Sequence, residues 1–281
     1  MKNRFQNEEY ESIIPTAVVT SYPRTFTDIP YENEIFSKIS EKNVKNIFLD
    51  KMLAPELEAR YKLANKLLNA TNIKQVLELA SGYSSRGLDY SNKGYIYVEM
   101  DLPLMIKEKV RVLKEISSIP SSLHLISGNA LQKKDYKQVL PYFDENQELV
   151  IINEGLLRYL TFEEKEIVAK NIYDILSKFG GYWITCDVTP KKFIEHQNAN
   201  LPKVNANLSG ITSRNSLNDR FEDITHIKDF FTHIGFQDIE IHPFNEVRDE
   251  LSSPSILGLD NSEFLLKEAI VAVMRVNKND K

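Results

Sequence analysis

The residues best suited to chemistry stand where short apolar runs end. Val76-Leu77-Glu78-Leu79 leads directly into Ala80-Ser81-Gly82-Tyr83-Ser84-Ser85-Arg86-Gly87. That order reads as a strand, a turn of small residues and the start of a helix. Small residues let a backbone approach a ligand closely, and a helix N-terminus offers N–H groups without partners of their own. Gly82 and Gly87 have the spacing of a P-loop, but Leu88 and Asp89 occupy the places of its lysine and hydroxyl, so that chemistry is excluded. A dinucleotide G-x-G-x-x-G fits poorly as well, because its positions hold Ala80, Gly82 and Ser85. What remains is a carboxylate on the strand, Glu78, followed by the close-approach positions Ala80 and Gly82. Such an acid accepts from the amino group of a nucleoside that carries an amino acid.

Three further strand ends carry polar or small residues. Asp101 follows the second apolar run about 20 residues beyond the turn, where a carboxylate takes both hydroxyls of a ribose. Sites for NAD and for S-adenosylmethionine both use this device. Gly128-Asn129-Ala130 closes the third run, placing Asn129 and Ala130 where an adenine edge would lie. Asn153-Glu154-Gly155 lies just past the fourth. Open α/β sheets bind ligands outside the carboxyl ends of their strands. A solvated loop acid explains any one of these positions, but four consecutive strand ends that each offer polar or small residues are harder to dismiss than any one.

The elements that must carry these residues alternate from about residue 74 between short apolar runs and amphipathic stretches, the pattern of βα units. The strands are expected at Gln75–Leu79, Tyr95–Glu99, Leu123–Ile126, Leu149–Ile152, Tyr182–Val188, Asp238–Ile241 and Ala269–Met274. Leu53, Leu57, Tyr61, Ala64 and Leu68 share one face of a helix before the first strand. Thr161-Phe162-Glu163-Glu164 reads as a capping box, opening a helix that Gly180-Gly181 stops. Thr225 is the expected cap of a helix with Ile227, Phe230, Phe231 and Ile234 inward. No long helix pattern separates the last two strands, so they should pair antiparallel. The expected division is a leader with a helical cap over 1–71 and a cofactor-binding core over 72–281. A polar insertion at about 189–224 would act as a lid, the whole forming one structural unit.

Composition limits the function classes. The 281 residues are 42% hydrophobic and 27% charged, enough apolar material for a sizeable core. The balance of 35 basic against 40 acidic residues gives a formal charge of -5, without the basic excess that phosphate backbones require. A nucleic-acid partner is therefore not expected. One cysteine, Cys186, permits no internal disulfide and, lying in an apolar run, reads as a buried structural thiol. The five histidines, among them His124 inside a strand and His196, show no metal-ligand spacing; His124 is expected in the core and no metal site is expected. Met1–Glu11 lacks an apolar signal core and no run is long enough for a bilayer, so the expectation is a cytoplasmic protein without a membrane partner.

The combined pattern resembles the leucine carboxyl methyltransferase family, which includes polyketide O-methyltransferases. The stretches that carry the resemblance are Arg24–Pro30, Glu58–Lys62, the Leu77–Gly87 turn, Val98–Pro103 and Glu154–Leu160. The resemblance implies a class I S-adenosylmethionine-dependent methyltransferase: an α/β fold with a seven-stranded, mostly parallel sheet, an antiparallel last strand and helices on both faces. It implies that Arg24 reaches the methionine carboxylate from the leader, that Ala80 and Gly82 line the cofactor, and that Asp101 holds the ribose. It further implies that Asn129 and Ala130 face the adenine, that Glu154 lies near the methionyl amino group, and that Tyr159, with Arg158 beside it, borders the acceptor pocket. Ala80 stands where the family usually has glycine, and Asn129 where aspartate is common.

Methyl transfer from a sulfonium demands alignment and exclusion of water more than acid–base chemistry. A carboxylate acceptor is already ionised at neutral pH. With no histidine dyad in the sequence, the expected activity is O-methylation of a carboxylate or phenolic hydroxyl on a small molecule or peptide. The rival readings are a nicotinamide-dependent oxidoreductase and a cofactor-binding pseudo-enzyme.

Overall fold

Leu149 to Asn153 is buried at every position, as a strand covered on both faces must be. It is the middle strand of the sheet in a computed structural model that describes residues 13–39, 41–45, 47–193, 195, 219–259 and 269–279. The strands are β1 (Gln75–Leu79), β2 (Ile96–Asp101), β3 (Leu123–Ser127), β4 (Leu149–Asn153), β5 (Gly181–Thr185), β6 (Asp238–Pro243) and β7 (Ile270–Val276). They lie in the order β3-β2-β1-β4-β5-β7-β6. The first five pair in parallel, and β7 runs antiparallel between β5 and β6. The expected antiparallel ending is therefore present, with the final strand inserted inside the sheet edge. Strand order reverses between β1 and β4, which is where such sheets hold ligands.

Successive side chains of β1 point to opposite faces, so Val76 joins one apolar layer while Leu77 and Leu79 join the other. Over the first layer lie α1 (Ile13–Arg24), α2 (Glu32–Lys38) and α3 (Ala54–Thr71), which contribute Val18, Ile35, Leu63 and Ala64. The leader helices thus share a core with the sheet. Leu53, Leu57, Tyr61, Ala64 and Leu68 are all buried, as their spacing predicts. Glu58, also buried, accepts from Ser252 N (2.8 Å), Ser252 Oγ (2.7 Å) and Ser253 N (2.8 Å), tying α3 to the chain that approaches β7. The second layer is covered by α6 (Phe162–Phe179) and α7 (Ile224–Ile234), with α4 (Arg86–Asn92) and α5 (Pro103–Ile116) completing the helices around β2. The capping box at Thr161 and Glu164 forms in both directions, at 3.3 and 3.1 Å.

Four expectations need correction. Asp223, not Thr225, caps α7, its carboxylate accepting from His226 N at 2.9 Å; aspartate and threonine are both good caps, and the helix begins earlier than the apolar spacing suggests. β5 ends at Thr185 rather than Val188, because Asp187 leaves the ladder to bind the neighbouring loop. β2 begins one residue later than expected and extends to Asp101. His124 is only half-buried on the edge strand β3, where it stacks on Tyr142 with centroids 4.1 Å apart. Most of the 189–224 insertion, with His196, lies outside the described residues.

Candidate active site

At the β1/β4 crevice the structure collects three arginines and three glutamates, all buried. Arg24 comes from the end of α1, Glu32 from the start of α2, Arg60 from α3, Glu78 from β1, Arg86 from the first residue of α4, and Glu154 from the loop after β4. Glu154 Oε1 accepts from Arg24 and from Arg60 Nε (3.0 Å), and Oε2 from Arg86 Nη2 (2.7 Å). The other side of Arg86 binds Glu78, and Arg86 Nε binds Asn65 at 2.8 Å. Glu78 Oε2 accepts from Tyr97 OH at 2.8 Å. Glu32 lies 3.8 Å from Arg24 and accepts from Ser85 N at 3.1 Å. The Arg86 guanidinium sits 4.4 Å from the centroid of the Tyr61 ring.

Burial alone would neutralise a carboxyl here, but Arg24, Arg60 and Arg86 together outweigh it and hold Glu154 well below the usual carboxylate range. Glu32 has less compensation, and burial pushes it up in spite of Arg24. Three guanidinium groups against three carboxylates make the cluster affordable only as a set, since any single member would be an uncompensated buried charge.

Beside the cluster the β1–α4 turn takes an unusual path. Ala80 (φ 53°) and Gly82 (φ 51°) both adopt left-handed backbone. Gly82 does so freely, whereas Ala80 carries strain of about 1 kcal/mol. Gly87 is required for a different reason: a Cβ there would stand 2.1 Å from Glu99 Oε1. Glu99 lies beneath the turn, bound to Lys109 and to Ser81 Oγ (2.8 Å). Asp101 holds the turn from β2, accepting from Gly82 N (2.8 Å) and Leu102 N (2.7 Å). Burial raises its pKa despite these bonds. Each of its oxygens retains a further lone pair. Asn129, half-buried past β3, has its side-chain oxygen on Leu131 N (2.9 Å), which leaves its NH2 as the group able to meet a base edge. Ala130 is buried beside it.

On the β5 side, Asp187 organises the loop that presents Glu154. Its carboxylate accepts from Asn153 Nδ2 (2.7 Å), Gly155 N (2.8 Å), Leu156 N (2.6 Å) and Leu157 N (3.1 Å). The same loop continues into the helical turn Leu157–Tyr159, so Arg158 and Tyr159 are positioned by the bonds that fix Glu154. A narrow recess lies against this wall and is lined by Arg60, Arg158, Cys186, Asp187, Arg220 and Phe244 among others. Cys186 is buried, and burial pushes its thiol well above the ordinary value.

The structure therefore brings Arg24, Glu78 and Glu154 into one network, with Ala80, Gly82 and Asp101 in the adjoining turn. Asn129 and Ala130 stand at the β3 end, and Arg158 at the recess. Glu78 has no exposed oxygen; its contacts are Arg86 and Tyr97. Sequence reasoning missed Arg60, Arg86, Asp187 and Arg220. Arg60 was detectable, because it shares the helical face of Leu57, Tyr61 and Ala64, where an unpaired charge is not tolerated.

The fold and the crevice define a class I methyltransferase, whose cofactor is S-adenosylmethionine. The leucine carboxyl methyltransferase model matches residues 27–173, and the chain belongs to that family. Among solved structures, the chain is similar to a candidate methyltransferase from Thermobifida fusca YX, with 15% identity, a TM-score of 0.56, and coverage of 92% of this chain and 94% of that one. It is also similar to PigF with SAH, at 14% identity and TM-score 0.52 over 93% of this chain; the match spans 62% of PigF's length. The methyltransferase domain of bacterial CtHen1-CN aligns at 12% identity and TM-score 0.51, covering 78% of this chain and 98% of that one. At these identities the likeness is one of fold. No curated protein matches the chain. Among the described residues no helix is long and apolar enough to cross a membrane.

Proposed function

We propose that this enzyme methylates an oxygen, carboxylate or phenolic, on a small molecule or peptide presented beside the loop that carries Glu154, Arg158 and Tyr159. The observation that carries this reading is that Asp187 fixes in one loop both Glu154, which faces the three arginines, and Arg158, which lines the neighbouring recess, with Tyr159 next to it in the chain.

The residues present fit the cofactor. Arg24 Nε is buried without a partner among the described residues, so one edge of that guanidinium has capacity for a carboxylate. Among the described residues Glu154 Oε2 accepts only from Arg86 and retains a lone pair for an ammonium. In this reading Arg24 holds the methionine carboxylate, Glu154 the amino group, Asp101 the ribose hydroxyls, and Asn129 with Ala130 the adenine. Glu78 acts through Arg86, and the Ala80–Gly82 turn supplies the close approach. When bound, the cofactor brings a methyl group already activated by a sulfonium. The chain's own part is to align the acceptor oxygen and to keep water out. Tyr159 borders the acceptor. The leader, which contributes Arg24, belongs to the active unit, with 1–71 and 72–281 acting as one. The cytoplasm is the proposed location, on the sequence grounds above.

Calorimetric titration with S-adenosylmethionine, S-adenosylhomocysteine and NAD side by side tests the cofactor assignment, with binding expected for the first two alone. Incubation of the enzyme with methyl-labelled cofactor and a small-molecule extract tests the acceptor chemistry. A label released by mild base marks a methyl ester, and a base-stable one marks an ether. Label on neither type of oxygen would refute the proposal.

A further inference from the structure

Of the three buried carboxylates in the crevice, Glu32 is the least compensated. Glu154 binds three guanidinium groups, and Glu78 binds Arg86 and the Tyr97 hydroxyl. Glu32 is wholly buried, yet its one ion-pair partner among the described residues is Arg24, at 3.8 Å and therefore beyond hydrogen-bond reach. Its Oε1 accepts from Ser85 N at 3.1 Å, while Oε2 is buried with no partner among the described residues. The groups that face it are Arg24 from α1, Tyr61 from α3, Ser85 from the turn before α4 and Glu154 from the loop after β4. Only the first is a cation, and Glu154 is a second anion. Burial, above all, and that neighbouring anion favour a proton on Glu32; Arg24 and the bond from Ser85 N oppose it. Arg24 is also the group with capacity for the methionine carboxylate, through its unpartnered Nε. The ammonium belongs on Glu154 Oε2, the oxygen bound by Arg86, whereas Arg24 is on Oε1. The negative end of the cofactor's amino acid is thus the end that draws on Glu32's single counter-ion.

We propose that Glu32 acquires a proton from solvent when the cofactor binds, yielding Arg24 to the incoming carboxylate. The proton goes to Oε2, the free oxygen, and Oε1 keeps its bond from Ser85 N. This rests on the reading that Arg24 holds the methionine carboxylate, and it adds a pH dependence to that contact. Binding is strongest where the free enzyme already keeps the proton on Glu32, and it weakens as rising pH removes it.

Calorimetry of the full chain, in buffers of different ionisation enthalpy, counts the protons directly. Adenosine shares the ribose contact and lacks the carboxylate, so it sets the baseline. Within about pH 6 to 8, S-adenosylhomocysteine should take up about half a proton or more beyond that baseline, and each whole proton makes affinity fall about tenfold per pH unit. Glu32→Gln keeps an oxygen for Ser85 N and has the charge of the protonated acid. It should abolish the excess and bind S-adenosylhomocysteine at least threefold more tightly than wild type at the upper end of that range. Protons exchanged by the ligand itself are common to wild type and variant and cancel between them. No excess in wild type overturns the inference, whether or not the variant folds. An excess that survives Glu32→Gln overturns it as well. So does a variant that binds more weakly at every pH, since ionised Glu32 would then be a ligand of the ammonium. Equal losses of adenosine and S-adenosylhomocysteine affinity in Arg24→Lys would instead remove the reading on which the inference rests.

Discussion

Removing the charge of Glu154 should cost more than removing any one of its arginines. Glu154→Gln preserves the shape and one acceptor oxygen, but it leaves Arg24, Arg60 and Arg86 facing only Glu32 and Glu78. Breaking a buried ion pair from one side costs about 3–5 kcal/mol, because the remaining charge stays desolvated. Since glutamine retains part of the hydrogen bonding, ~3 kcal/mol is expected. Arg24→Gln leaves Glu154 still paired with Arg60 and Arg86, so its cost is one charge-assisted bond, ~1.5–2 kcal/mol. Urea unfolding of both variants measures the difference directly, through the midpoint at unchanged slope. The pH dependence supplies an independent sign. The folded pKa of Glu154 is depressed, so its contribution is fully present above the unfolded value near 4.3 and is lost as pH falls toward the folded one. The gap between wild type and Glu154→Gln should therefore narrow below about pH 4.3 and stay flat from pH 5 to 8. A Glu154→Gln variant within 1 kcal/mol of wild type at pH 7, or a gap that widens in acid, would refute the charge-balance argument.

Three further outcomes are expected. Asp101→Ala should lose at least tenfold in S-adenosylmethionine affinity, each charge-assisted bond contributing about 1.5–3 kcal/mol; unchanged affinity by calorimetry at unchanged Tm would remove it from the ribose site. Arg24→Lys and Arg24→Ala should both weaken S-adenosylmethionine while sparing adenosine, which lacks the carboxylate that a guanidinium fork pairs with; equal losses for both ligands would give Arg24 a purely structural role. Ala80→Gly should stabilise the fold by about 0.5–1 kcal/mol by relieving the φ of 53°, measured by thermal unfolding, and a destabilised variant would contradict the strain.

How far the sequence reaches can be judged from the residues on either side of the crevice. β1 and β4 were legible to within a residue, because a fully buried strand writes itself as an unbroken apolar run bounded by turn residues. The positions of Asp101, Asn129 and Glu154 were legible for a related reason: they lie two or three residues past the expected ends of their strands, and topology does the rest. Asp187 was not, since it falls within an apolar stretch that periodicity extends to Val188, and only the loop it binds reveals why the ladder stops at Thr185. Arg86 escaped notice as one more helix-start residue, although it joins Glu78 to Glu154, which lies 68 positions beyond it in the sequence. A one-dimensional pattern records which side chains leave water, and it is silent on which partner makes a buried charge tolerable.

That partner choice gives the leader its place in the site. Arg24 lies 3.8 Å from Glu32, eight residues away in the same leader. It also reaches Glu154, 130 positions along the chain, while Thr27 Oγ1 ties down Arg24 O at 2.7 Å and holds the turn that follows α1. Docking of α1 is thereby coupled to the ionised state of Glu154, since a departing Arg24 would leave the carboxylate with two cations and α1 with a desolvated charge. A cofactor that places its own carboxylate on Arg24 and its ammonium on Glu154 exchanges this internal pair for two external ones, keeping the charge balanced throughout. In the proposed reading the Arg24–Glu154 pair stands in for the methionine end, the carboxylate for its carboxylate and the guanidinium for its ammonium, so that the charges which pack the leader against the sheet would be the ones that hold the cofactor.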